Sequence, residues 1–294
     1  MQAASTAYPG VPDEQAARIR AAGQSMDPAL INIFADLVEA PPYGDLEVAR
    51  DVAYGADPRQ RLDIYTAKQA GSAARPVLLF VHGGGFTGGN KSGAFYPDNV
   101  TAWAARNAMV GVNIDYRLAP DAKWPAGRDD LAAAIGWVRD NIAEHGGDPQ
   151  RIVVWSHSAG ANHVADYVQH SELRGAEAAS VAGAVLLSPF YAAEADAQPH
   201  AYYGADAGLQ TAGPAIERLG ASDIPVFLAY SEFDPDRFQA FARRAERTLC
   251  DEGARRCPRI LYLRDHNHFT EGASVGSIDQ SLTGPLLEWM RDLD

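Results

Sequence analysis

The amino-acid sequence predicts an α/β fold, an eight-stranded and mostly parallel sheet with helices on both faces. Two observations lead there. Apolar, β-branched runs alternate with longer segments of helical period along most of the 294 residues, the pattern left by strand–helix–strand units. Several runs, such as Pro76–His82 and Arg151–Ser156, are almost continuously apolar, as strands buried on both faces must be. The length suits one domain of this kind.

Taken in order, Asp13–Pro42 reads as one or two helices ahead of the sheet, so residues 1–45 are expected to form a cap on a core of residues 46–294. Strands are predicted at Leu46–Tyr54, Gln60–Thr66, Pro76–His82, Met109–Tyr116, Arg151–Ser156, Val181–Ser188, Pro225–Ser231 and Arg259–Arg264. Between them, Asp129–Gly146 places Leu131, Ile135, Val138 and Ile142 on one helical face and ends at a Gly-Gly stop. Further helices are predicted at Pro97–Asn107, Ala159–Ser171, Arg237–Glu252 and Leu282–Leu293. Tyr191–Ser222, rich in Ala, Gly and Tyr, breaks the alternation and is expected to form a second covering segment.

Composition removes several function classes. With 25 Lys+Arg against 38 Asp+Glu the formal charge is −13, opposite in sign to a nucleic-acid footprint or a polybasic membrane patch. No apolar stretch has the length of a bilayer span, and Met1–Gly10 lacks a basic and apolar leader. The expectation is therefore a cytoplasmic protein without a membrane span. Two cysteines, Cys250 and Cys257, allow one local bridge at most, and two reduced thiols are expected in a cytosolic chain.

The chemistry concentrates at strand ends. Arg151-Ile-Val-Val-Trp-Ser156-His157-Ser158-Ala159-Gly160 runs from an apolar strand through small residues into a helix. A serine on such a turn has its hydroxyl exposed, and the crowded backbone demands small residues two before and two after it. Those positions are Ser156 and Gly160 for Ser158, whereas Ser156 as the reactive residue would be flanked by the branched Val154. A second buried run ends in His82-Gly83-Gly84-Gly85-Phe86. Consecutive glycines let backbone N–H groups approach a developing oxyanion, and the amides of Gly84, Gly85 and Ala159 are the candidates. His82 is expected to hold that loop through a side-chain hydrogen bond.

A serine hydroxyl needs a base and an orienting carboxylate. Asp234 follows the strand Pro225–Ser231, and His268 follows the last strand, with Asp236 and His266 as the runners-up. No zinc site is expected from His266 and His268, which lie two apart on opposite sides of an extended chain.

These motifs resemble those of the hormone-sensitive-lipase-like esterases of the α/β-hydrolase superfamily. The resemblance rests on His82-Gly83-Gly84-Gly85-Phe86, Asn113-Ile114-Asp115-Tyr116-Arg117-Leu118-Ala119-Pro120 with Trp124-Pro125-Ala126, Ser158-Ala159-Gly160, Asp234-Pro235 and His268-Phe269. It is strongest towards bacterial carboxylesterases and weaker towards kynurenine formamidases. It implies a triad of Ser158, Asp234 and His268, an oxyanion hole of Gly84, Gly85 and Ala159, and an acyl pocket capped by Asp13–Pro42. It also implies no cofactor, a small-molecule ester substrate, and a homodimer joined through the last strand or helix. Ser156 stands where that family has glycine. The expected activity is hydrolysis of short acyl esters through an acyl-enzyme. The competing expectations are an arylformamidase working on the same residues and a catalytically silent binding protein.

Overall fold

The computed structural model describes residues 8–69, 71, 73–174, 181–189, 201–204, 219–220, 222–250 and 257–293. Eight strands form one sheet: β1 (Leu46–Ala53), β2 (Arg61–Ala67), β3 (Arg75–Val81), β4 (Val110–Ile114), β5 (Gly147–His157), β6 (Val181–Leu187), β7 (Val226–Phe233) and β8 (Arg259–Asn267). Their order is β1-β2-β4-β3-β5-β6-β7-β8. β1 pairs antiparallel with β2, and β2 antiparallel with β4, while every pairing from β4 to β8 is parallel.

The helices divide between the faces because the central strands are apolar on both sides. α2 (Asp98–Arg106) and α6 (Thr283–Arg291) take one face; α3 (Ala126–Asn141), α4 (Ala159–Gln169) and α5 (Asp236–Cys250) take the other. In β3 the alternation is direct: Val77, Leu79 and Val81 pack towards α3 and α4, and Leu78 and Phe80 towards α2. Leu79 lies between Val112 of β4 and Val154 of β5. Complete burial of such a side chain contributes about 1.5–3 kcal/mol.

Ahead of the sheet, α1 (Asp13–Ala22) and a 3₁₀ segment at Pro28–Phe34 form the two expected pieces of the N-terminal region. Ile19, Ile33, Phe34 and Val38 join Phe95 and Ala273 in a separate apolar cluster. Arg20 meets Asp265 at 2.5 Å, and Gln24 donates to Asp236, so α1 is anchored beside β8 and α5.

Several boundaries move for local reasons. α3 starts at Ala126, directly after Pro125, and its predicted last turn is instead a 3₁₀ turn at Ile142–His145 closed by Gly146 at φ 73°. β8 runs three residues past its predicted end, because Phe233 pairs with Asn267 beyond a register shift. The expectation of two reduced thiols is overturned: Cys250 and Cys257 form a disulfide between the end of α5 and the approach to β8. Of the predicted covering segment Tyr191–Ser222, residues 191–200, 205–218 and 221 lie outside the described residues. No helix among the described residues is long and apolar enough to cross a membrane.

Candidate active site

The parallel strands deliver their C-terminal ends to one edge of the sheet, where the predicted residues meet. Ser158 occupies the turn between β5 and α4 at φ 53°, ψ −121°, a region that non-glycine residues enter only when their surroundings hold them there. Its N–H donates to the Leu187 carbonyl at the end of β6. A Cβ on Gly160 would stand 2.4 Å from the Val81 oxygen, and one on Gly83 would stand 3.0 Å from the Ser158 Cβ. Gly160 is therefore required for the turn to fit against β3, and Gly83 packs tightly against Ser158. Ser156, which replaces the expected glycine, points into the sheet, fully buried, and donates to the Val185 carbonyl at 2.7 Å. Its side chain costs the turn nothing because it is satisfied within the strand pair.

The triple-glycine loop lies against this turn. Gly84 and Gly85 have φ of 129° and 59°, and their N–H groups donate to no acceptor among the described residues. The Gly84 carbonyl accepts from Gly88, which closes the loop into a tight turn. Ala159 is the first residue of α4, where backbone N–H groups lack intrahelical acceptors. Phe86, at φ 67°, keeps its unfavourable backbone inside an aromatic nest, stacked on Tyr202 at 4.9 Å and edge-on to His163 and Tyr203. His82 holds the loop as expected: its Nδ1 bonds the Gly83 carbonyl at 2.6 Å, and Tyr116 stacks on its ring. The Asp115 carboxylate braces the far side by accepting from the Lys91 N–H at 2.7 Å.

Asp234 and His268 complete the line. The His268 Nε2 stands 2.8 Å from the Ser158 Oγ, and its Nδ1 stands 2.9 Å from Asp234 Oδ1. Asp234, fully buried, takes two further hydrogen bonds on Oδ2, from the Ser231 N–H at 2.8 Å and the Ser188 hydroxyl at 2.5 Å. Those donors fix which oxygen faces the imidazole. The runners-up do other work. Asp236 accepts from Gln24 of the N-terminal region, and buried His266 pairs with Asp279 at 2.9 Å while Phe34 stacks on it.

A cavity of about 540 Å³ opens in front of Ser158, lined by Gly83–Gly85, His157, His268, Phe269, Tyr96 and, from the N-terminal region, Met26, Pro28 and Ile31. Most of these walls are apolar, which suits an uncharged organic group. Behind it, burial pushes the imidazoles of His157 and His163 down to about 4 and about 3, so both are neutral near pH 7. His157 Nε2 donates to the His268 carbonyl at 2.8 Å and its Nδ1 accepts from the Tyr96 hydroxyl at 3.0 Å.

Residues the sequence reading did not select stand close by. Glu271, fully buried, reaches Ser188 and Ser231 behind Asp234. The available signal was its spacing, three residues after His268, which on one helical turn brings it back beside the histidine. His157, His268 and Glu271 are the one group among the described residues with the spacing of a metal site, but both imidazoles already have partners on both nitrogens.

The sheet order and the placement of the site at its strand ends are those of the α/β-hydrolase fold, and residues 78–220, just under half of the chain, match the family described as alpha/beta hydrolase fold. The chain is also similar to esterases. Esterase LipC of Mycobacterium tuberculosis is 39% identical over 113 residues, 38% of this chain and 28% of that protein. Esterase LipQ of the same organism is 29% identical over 248 residues, 77% of this chain and 58% of that protein. The chain thus spans between 28% and 58% of the length of these two relatives. A solved esterase from Rhizomucor miehei, 20% identical, superimposes with a TM-score of 0.66 over 97% of this chain and 98% of its own.

Proposed function

We propose that the protein is a serine carboxylesterase that hydrolyses short-chain acyl esters through an acyl-enzyme. The observation that carries this reading is the unbroken line from Ser158 Oγ through His268 to Asp234, at 2.8 and 2.9 Å, facing an apolar cavity. His268 Nε2 takes the hydroxyl proton as Ser158 Oγ attacks the ester carbonyl. The N–H groups of Gly84, Gly85 and Ala159 receive the oxyanion. His268 returns the proton to the departing alcohol, then activates the water that attacks the acyl-enzyme carbonyl, and Ser158 leaves with that proton. Asp234 holds the imidazole with Nδ1 protonated and stabilises its charged form.

The esterase names of the similar proteins support the bond type. Met26, Pro28 and Ile31 at the cavity support a single domain in which residues 1–45 cap the acyl side of a 46–294 core. Buried Tyr202 and Tyr203 against Phe86 support a covering role for the described part of residues 191–222. The position of β8 at the sheet edge supports a homodimer joined there, to be read by sedimentation.

The test is turnover of p-nitrophenyl esters of increasing acyl length by the wild type and Ser158→Ala. Hydrolysis of acetate and butyrate esters that disappears in the variant is expected. Unchanged hydrolysis by Ser158→Ala, or a preference for N-formylkynurenine by orders of magnitude, would overturn the assignment.

A further inference from the structure

A second buried carboxyl stands directly behind the first. Glu271 lies on the single helical turn Thr270–Ala273, which follows His268, and has no solvent exposure. Its Oε2 contacts two hydroxyls, Ser188 Oγ at 2.9 Å and Ser231 Oγ in a short hydrogen bond. Ser188 Oγ in turn stands 2.5 Å from Asp234 Oδ2. The four groups form one chain of oxygens, Asp234–Ser188–Glu271–Ser231.

Counting protons along that chain decides its charge. It has three oxygen–oxygen contacts, each of which needs a proton, and its two hydroxyls supply two. The third must sit on a carboxyl. Asp234 is the poor host, because both its oxygens already accept hydrogen bonds, from the His268 ring on Oδ1 and from the Ser231 N–H on Oδ2. Glu271 is the good one. Its Oε1 has no hydrogen-bond partner, as suits the carbonyl oxygen of a neutral acid and not a buried anion. His157 Nε2 stands 3.4 Å from Oε1, but its hydrogen is already donated to the His268 carbonyl.

From this geometry we infer that Glu271 is a neutral carboxylic acid that donates to Ser188, and that it acts as a positioning residue keeping Asp234 the only anion behind the imidazole. The inference rests on the triad reading given above. With its own proton directed to Asp234 and a proton received from Glu271, Ser188 is locked, and the Asp234 carboxylate cannot rotate away from Nδ1. The two hydrogen bonds also polarise one another.

The surroundings of Glu271 agree. Asp234 faces it from the end of β7, His157 from the end of β5, His268 from its own segment, and Tyr96 packs against neighbouring Gly272. His266 is engaged with Thr270 and Asp279, and the N-terminal 3₁₀ segment adds apolar Ile33 and Phe34. Among the described residues no arginine or lysine forms an ion pair with Glu271. Burial, followed by the Asp234 charge, pushes its carboxyl well above the usual range. Loss of the proton at alkaline pH would place two anions on either side of a single hydroxyl and leave one oxygen contact without hydrogen.

Two measurements on the whole protein test this. The first is the rate of Ser158 labelling by a fluorophosphonate across pH, for the wild type and Glu271→Gln, whose amide can donate to Ser188 but cannot ionise. The expected plateau rate of the variant is within about fivefold of wild type, the scale of one altered neutral hydrogen bond, and the alkaline fall of the wild-type rate should be absent from it. A variant with the wild-type alkaline limb, or a folded variant that labels hundreds of times more slowly at every pH, would overturn the inference. The second is the infrared carbonyl stretch of a protonated carboxylic acid near neutral pH, expected in wild type and missing in Glu271→Gln. Identical spectra would overturn it without reference to activity. A wild type that the reagent never labels would instead overturn the triad reading, and the spectra would still decide the protonation of Glu271.

Discussion

The second and third glycines of the loop proposed to hold the oxyanion make opposite predictions for the same substitution. A Cβ on Gly84 would lie 2.1 Å from the Gly88 oxygen, where 3.0 Å is the least that real Cβ atoms show, so 3.0 − 2.1 = 0.9 Å must be found by moving backbone. Gly88 cannot simply yield, because its N–H donates to the Gly84 carbonyl and closes the turn. The φ of 129° adds strain of about 1–3 kcal/mol. A shift near 1 Å takes the Gly84 N–H out of hydrogen-bond range of an oxyanion, and loss of one such donor costs about 10²–10³ in kcat. A Cβ on Gly85 meets nothing within 4 Å, and its φ of 59° costs about 1–2 kcal/mol of folding stability while leaving the N–H in place. Steady-state hydrolysis of p-nitrophenyl butyrate should therefore show kcat reduced about 10²–10³-fold for Gly84→Ala. Gly85→Ala should lie near wild type, with KM similar in both and melting curves confirming the fold. Equal losses in the two variants, or a fully active Gly84→Ala, would refute the assignment of the loop.

Other expectations are independent of that loop. Asp234→Asn removes the acceptor for His268 Nδ1, and kcat should fall by about 10⁴ with KM held. Glu271 has its folded pKa raised above the ordinary 4.5. The folded state then binds the extra proton, and this contribution to stability is full below 4.5 and lost as pH rises through the folded value. Glu271→Gln should therefore gain on the wild type as pH rises above 4.5, by up to about 1.4 kcal/mol per pH unit in denaturant titrations. For His157 and His163 the sign is reversed: their folded values lie below the ordinary 6.5, at about 4 and about 3. Their contribution is present above 6.5 and is lost as pH falls towards those values. Wild-type melting temperature should decline on acidification below 6.5, and less so in a stable variant lacking the His163 imidazole.

The sheet was legible because its strands are buried on both faces. Runs such as Val77–Val81 and Val181–Leu187 leave no other place to go, and all eight strand positions follow from them within a few residues. That Ser158, Asp234 and His268 would meet was legible for a related reason, since each follows closely on one of those runs, and in the structure each directly succeeds the last residue of its strand. What escaped the sequence are polar groups whose role depends on meeting another segment. Glu271 looks like an ordinary acidic residue at a helix start until Ser188 and Ser231, 83 and 40 residues away, are brought against it. His266 looked like a spare base and is a brace, because Asp279 folds back onto it. Asp115 sits in a motif that marks the loop, yet its service to Lys91 follows only from their contact in space.

The disulfide has a consequence for where this protein can be handled. Cys250 closes the helix that begins just after Asp234, and Cys257 opens the approach to the strand that ends just before His268. The bond therefore staples the distal ends of the two arms that carry His268 and Asp234. A loop of this size contributes about 2–3 kcal/mol by restricting the unfolded chain, without touching the reacting groups. Such bonds persist in oxidising compartments and are opened by cytosolic reductants. Preparations from the two settings should thus share kcat and differ in melting temperature, so that thermal endurance records the redox history of the sample while turnover does not.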